Sequence, residues 1–109
     1  MQINAMLLAF IGTFALTNAV VVEMFADEGC GQSVGTRNVY DNTCAPTQGF
    51  QSFRVISNGG GNQFVRSYSP NNCAGPQTQC IPASGVYNCI RAINGAGGSN
   101  AFGSSTIGC

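Results

Sequence analysis

Histidine and lysine are both absent, and charged side chains make up only 7% of the 109 residues. Each shortage removes a class of function. Without histidine or lysine, the usual bases for activating a serine, threonine or cysteine nucleophile are missing. Without histidine, and with no Cys-x-x-Cys pair, the chain lacks the ligand spacing of a zinc site. Four carboxylates (Glu23, Asp27, Glu28, Asp41) balance four arginines (Arg37, Arg54, Arg66, Arg91), so no basic field can form. Binding to nucleic acid and insertion into membranes by cationic attack are disfavoured accordingly. One catalytic chemistry is left open, a carboxylate pair using Asp27 or Glu28 with Asp41. Asp27-Glu28-Gly29 and Asp41-Asn42 read more economically as turn signals. The chain is therefore expected not to be an enzyme and to need no cofactor or metal.

Long apolar runs are also scarce after the N-terminus. The run from Ala5 to Leu16 has the length of a signal-peptide core, although no lysine or arginine precedes it. Thr17-Asn18-Ala19 supplies short residues for cleavage between Ala19 and Val20. The competing reading, a membrane anchor extended by Val20-Val21-Val22, is opposed by Asn18 and by the lack of a basic cluster after it. Residues 1–19 are thus expected to be removed and residues 20–109 to form one domain, secreted and extracellular. A domain this small buries only about 60–65% of the surface its unfolded chain exposes, so covalent staples are expected. Cys30, Cys44, Cys73, Cys80, Cys89 and Cys109 all follow the cleavage point and supply three bridges suited to an oxidising compartment.

What the chain does have is a repeat. Phe25 precedes Cys30 by five positions, and Tyr68 precedes Cys73 by five. Cys44-Ala45-Pro46-Thr47-Gln48-Gly49 resembles Cys80-Ile81-Pro82-Ala83-Ser84-Gly85. Arg54-Val55-Ile56 runs into a glycine turn, as does Arg91-Ala92-Ile93. A duplicated β-motif follows, approximately 20–62 and 63–109. Val20–Phe25, Phe50–Ile56, Gln63–Tyr68 and Tyr87–Ile93 read as strands, with Phe53 and Val55 on one face. The second and third of these, joined by a glycine-rich turn, read as a hairpin. No stretch carries a helical apolar repeat, and turn signals recur at short intervals. The fold class is all-β, a compact disulfide-stapled sandwich of two Greek-key-like motifs. The repeat pairs Cys30 with Cys44 and Cys73 with Cys80, leaving Cys89 for Cys109. Cross-motif pairing such as Cys30–Cys73 is the rival.

Arg54 and Arg91 take equivalent places in this repeat. They are read as the solvated residues opposite inward Phe53 and Ile90, in preference to a pair of anion anchors. Gly31–Thr43, between Cys30 and Cys44, is longer than its counterpart Ala74–Gln79 and reads as a loop surplus to the duplicated frame. Such a loop on a rigid scaffold is a place for recognition or a plain insertion. Arg37 and Tyr40 within it are types enriched at interface hot spots, and they are the candidate interaction residues.

Together these residues resemble the βγ-crystallin Greek-key motif. Tyr68-Ser69-Pro70-Asn71-Asn72-Cys73-Ala74-Gly75 matches that family's opening, and Phe25–Gly31 matches it more loosely. Ser52-Phe53-Arg54-Val55 matches its closing strand, with Asn88-Cys89-Ile90-Arg91-Ala92 a weaker copy. The resemblance implies a secreted, disulfide-bonded domain like the killer-toxin-like or metalloproteinase-inhibitor members. Many members bind calcium ahead of the closing strand. Here Thr47–Ser52 keeps only the final serine of that loop, Ala83–Asn88 keeps nothing, and Asn100–Ser105 follows the closing strand. With no carboxylate after Asp41, calcium is not expected. Size and composition also look like those of fungal small secreted cysteine-rich proteins. The expected function is a secreted, non-enzymatic interaction protein of the effector or elicitor kind. Its partner would be an extracellular protein or cell-surface component of another organism. A killer-toxin-like antimicrobial protein and a secreted protease inhibitor are the alternatives, and the oligomeric state is left open.

Overall fold

A computed structural model describes residues 19–59, 62–84, 87–93, 98–105 and 107–109. Of the leader expected over 1–19, residues 1–18 lie outside the described residues, as does the turn expected at Asn94-Gly95, while Ala19 opens the first strand. Eight strands follow in order: β1 (Ala19–Phe25), β2 (Ser33–Tyr40), β3 (Cys44–Phe50), β4 (Ser52–Ser57), β5 (Phe64–Tyr68), β6 (Gln77–Pro82), β7 (Tyr87–Arg91) and β8 (Ser99–Ser105). They form two antiparallel sheets, ordered β2-β1-β4-β7 and β3-β8-β5-β6. The molecule is the expected all-β, disulfide-stapled sandwich. Among the described residues there is no helix, and hence none long and apolar enough to cross a membrane.

The two motifs exchange a strand. In each, the first, second and fourth strands share a sheet, while the third pairs with the fourth strand of the other motif: β3 with β8, and β7 with β4. The registers define which residues are equivalent. Met24 faces Phe53 and Glu23 faces Arg54 across β1–β4; Ser67 faces Phe102 and Arg66 faces Gly103 across β5–β8. Phe102 is thus the counterpart of Phe53, and Gly103 the counterpart of Arg54. Both phenylalanines are fully buried. The Phe102 ring packs edge-on to Phe53 (centroids 4.9 Å apart) and stacks on Phe50 at 4.6 Å. This aromatic cluster, ringed by Val20, Val22, Val39, Val55 and Val65, is the centre of the core.

Three sequence expectations are corrected here. Phe50–Ile56 and Gln63–Tyr68 do not form a hairpin, because β4 and β5 lie in different sheets. Two strands of one-sided polarity joined by glycines carry the same pattern whether the turn reverses within a sheet or arches between layers. Arg91 does not belong to the second closing strand. It lies on β7, where the register places it beside Ser52 of β4, and the second closing strand is β8. The third correction is the disulfide scheme. The bridges are Cys30–Cys89, Cys44–Cys73 and Cys80–Cys109, and none of the three expected pairs forms.

The observed bridges obey the symmetry of the fold. Cys30 and Cys73 follow β1 and β5, as the repeat implied. Cys44 faces Gly103, and Cys89 lies beside Arg54, so Cys44 and Cys89 are the other equivalent pair. Cys30–Cys89 and Cys44–Cys73 each tie the hairpin of one motif to the third strand of the other. The Sγ atoms of Cys30 and Cys73 even approach matching carbonyls, those of Phe53 and Phe102. Gly103 is glycine for a local reason: a Cβ there would lie 3.2 Å from both Cys73 Sγ and the Tyr68 ring. Cys80–Cys109 has no counterpart. It fastens the C-terminal tail, aided by the Arg66 guanidinium, which donates to Ser105 Oγ and to the carbonyls of Ile107 and Gly108.

The turn after β1 is built by Asp27. Its carboxylate accepts the amides of Gly31 and Gln32 at 2.9 Å, and Ser52 Oγ donates to its carbonyl at 2.6 Å while accepting the Cys30 amide. The hydrogen bond from the Gln32 amide, followed by that from Gly31, holds the Asp27 carboxyl below the usual aspartate value. A carboxyl lowered in the folded state contributes stability above its unfolded pKa and loses it as the pH falls through the folded value. Asp27→Asn should therefore melt at a lower temperature than the wild type at pH 7, with the gap narrowing below about pH 4. Thermal melts across that range check it; a gap that stays constant to low pH would show that ionised Asp27 does not hold the turn.

Candidate functional site

β2 and β3 are the edge strands of their respective sheets, on the same side of the sandwich. They diverge from a tight corner at Asp41-Asn42-Thr43. Asn42 there has φ +61°, a left-handed conformation that asparagine tolerates. Thr43 donates both its amide and its hydroxyl to the Tyr40 carbonyl. The Asn42 amide donates to the Ser104 carbonyl at 2.9 Å, and the Ser104 amide returns a bond to the Thr43 carbonyl. The corner is thereby pinned to β8, and Cys44–Cys73 clamps the strand that leaves it. Buried Gln63 adds a brace, donating through Nε2 to the Val39 carbonyl of β2 and to Ser104 Oγ of β8.

Beyond the corner the strands part. Val39 and Ala45 are still buried, but Ser33–Asn38 of β2 are all exposed. An open groove of about 570 Å³ follows, lined by Thr36, Arg37, Asn38, Tyr40, Thr43, Cys44 and Ala45. A second hollow of about 460 Å³ continues it past Thr36 and Arg37 to Pro46, Thr47 and Gln48. The structure therefore brings Arg37 and Tyr40 to one concave surface. It does not place them on a surplus loop, which corrects the sequence reading. The segment is mostly β2, and between equivalent cysteines the spans are similar, 30 to 44 against 73 to 89. The opposite wall, β3, is hidden in the sequence because Cys44–Gly49 stands out there only by its likeness to Cys80–Gly85. The alternation of buried Ala45 and exposed Pro46 was the signal available.

The other candidates have structural duties. The Arg54 guanidinium pairs with Glu23 at 2.7 Å and sits over the Phe25 ring, while Arg91 pairs with Glu28 at 2.7 Å. The hydrogen bond from Ser33 Oγ and those from Arg54 hold the Glu23 carboxyl below its ordinary value. Asp27 and Glu28 lie before β2 and Asp41 after it, so eight residues of strand, about 26 Å, separate them. A carboxylate pair for glycoside hydrolysis needs about 5–9.5 Å, so these groups do not form one. Nor do the residues matched to the calcium loop fit a metal, since the Ser52 hydroxyl is buried and engaged by Asp27 and Cys30.

Comparison with family models, with curated proteins and with solved structures finds no match for this chain.

Proposed function

We propose that this chain is a secreted, non-enzymatic interaction protein on a two-Greek-key scaffold of the crystallin-like kind, acting on an extracellular or cell-surface component of another organism. The observation that carries this reading is the groove between β2 and β3, whose lining includes both Arg37 and Tyr40, beside a pinned corner. Tyr40 is a large side chain left 43% exposed. Arg37 has no ion-pair partner among the described residues. Neither side chain is spent on the core, and both types supply apolar area together with hydrogen bonds at interfaces. Three disulfides in a small domain suit work in an oxidising, extracellular setting. The exchanged third strands, which make the two motifs interdependent, support the crystallin-like reading of Ser52-Phe53-Arg54-Val55 and Tyr68–Gly75.

The test applies purified, disulfide-bonded protein to plant, fungal and bacterial cells and to a panel of proteases. A plant defence response is the expected outcome; arrest of microbial growth would make the protein a toxin, and protease inhibition an inhibitor. In whichever assay responds, Arg37→Ala/Tyr40→Ala should fold normally and lose at least about thirtyfold in potency, since a lost hot-spot side chain costs about 2 kcal/mol or more. Full potency in that variant would place the interaction elsewhere.

A further inference from the structure

We infer that the groove takes an extended, acidic peptide segment of the partner protein, added as a strand along the free edge of β2 with its carboxylate on Arg37. The inference rests on the interaction reading above and names the chemistry that groove would recognise. Charge is the first support. Of four arginines, Arg54 is held by Glu23, Arg91 by Glu28, and Arg66 by the carbonyls of the C-terminal tail. Arg37 is left over, and no carboxylate lines either part of the groove. The register pairs Arg37 with Val22 and Thr36 with Glu23, so Glu23 projects from the opposite face of the sheet. A cation left unpaired in a concave surface favours an anionic ligand group there.

Backbone geometry supplies the second support. β2 ends its sheet and contains no proline. Its bulge lies at the Ser33–Gly35 end, and its Val39 and Tyr40 carbonyls are engaged near the corner. The stretch of edge offered to a further strand is therefore Thr36, Arg37 and Asn38. Main-chain groups on such an edge accept a further strand, and alternate side chains of the added segment then set specificity. The other edges are less receptive. β3 carries Pro46 and β6 ends in Pro82, and a proline cannot donate to a ladder. β7 is only five residues long, against eight for β2. The two hollows meet at Thr36 and Arg37, so the concavity runs beside β2 with Arg37 near its middle. Val34 and Tyr40, both close to half exposed, stand toward its two ends, and the register puts Tyr40 on the face opposite Arg37, where it would meet the alternate side chains of an added strand.

The experiment pans a library of random dodecapeptides against immobilised, disulfide-bonded protein. Enriched peptides should carry Asp or Glu, and conversion of that residue to its amide should weaken binding about tenfold, as loss of a charged hydrogen bond does. N-methylation of alternate backbone amides should abolish binding. Arg37→Gln should reproduce the amide effect, whereas Arg91→Gln, on the far edge strand, should leave affinity unchanged. No enrichment above an unrelated disulfide-bonded protein would overturn the proposal. Binders indifferent to Arg37→Gln or to N-methylation would overturn it as well. Should the peptides fail while cellular activity still depends on Arg37 and Tyr40, strand addition falls and the interaction reading stands.

Discussion

Phe102→Ala should destabilise the domain by about 3–5 kcal/mol, measured by urea unfolding with the disulfides intact. Phe102 is fully buried on β8, and its ring touches both Phe53 of the facing sheet and Phe50 of the neighbouring strand. Truncation removes the apolar area of a ring and leaves a cavity between two sheets whose backbones are fixed by hydrogen bonds and bridges, so little collapse can relieve it. A small domain is stable by only about 5–15 kcal/mol, and the substitution uses a large share of that. Phe102→Leu keeps much of the volume and should cost far less. A loss below about 1 kcal/mol for the alanine variant would show that the sheets are not held together at this cluster.

That core was partly legible in the sequence. Alternation in Ser52-Phe53-Arg54-Val55 placed Phe53 and Val55 inward and Arg54 outward, and the structure agrees. The equal spacings from Phe25 to Cys30 and from Tyr68 to Cys73 identified residues that the strand registers make equivalent. The errors began where local likeness was taken for equivalence. Cys44-Ala45-Pro46 resembles Cys80-Ile81-Pro82, yet one opens the third strand of its motif and the other ends the second strand of its own. Likewise Arg54 and Arg91 stand on neighbouring strands of one sheet, not at equivalent positions of two. A third strand given to the other sheet still buries one face and exposes the other, so its residue pattern does not reveal which sheet it joins. The candidate site shows the same limit. Arg37 and Tyr40 were singled out by type, and they do share a groove. That the groove arises from two diverging edge strands depends on long-range pairing that no window of sequence displays.

The disulfides carry the second large effect. Digestion after arginine, without reduction, divides the chain at Arg37, Arg54, Arg66 and Arg91. With the observed bridges, the segments holding Cys30, Cys44 and Cys109 should all remain joined to 67–91, which holds Cys73, Cys80 and Cys89; only 55–66 is released. Pairing within each repeat would instead give two separate pairs of peptides. A further cut after Tyr87 isolates Cys89, which should leave attached to the peptide ending at Arg37; any other partner would refute the cross-motif scheme. Energetically, Cys30–Cys89 spans 59 residues and Cys44–Cys73 spans 29. Constraint of the unfolded chain then assigns about 4 kcal/mol to the first and about 3.5 kcal/mol to the second. Cys30→Ser/Cys89→Ser should therefore be the more damaging double substitution, and in a domain this small it should leave a substantial unfolded fraction at physiological temperature. Both bridges join one motif's hairpin to a strand donated by the other motif, so their loss frees the motifs from each other as well as loosening a loop. Unfolding curves that move by less than about 1 kcal/mol in either variant would mean that strand exchange and the aromatic core hold the halves together unaided.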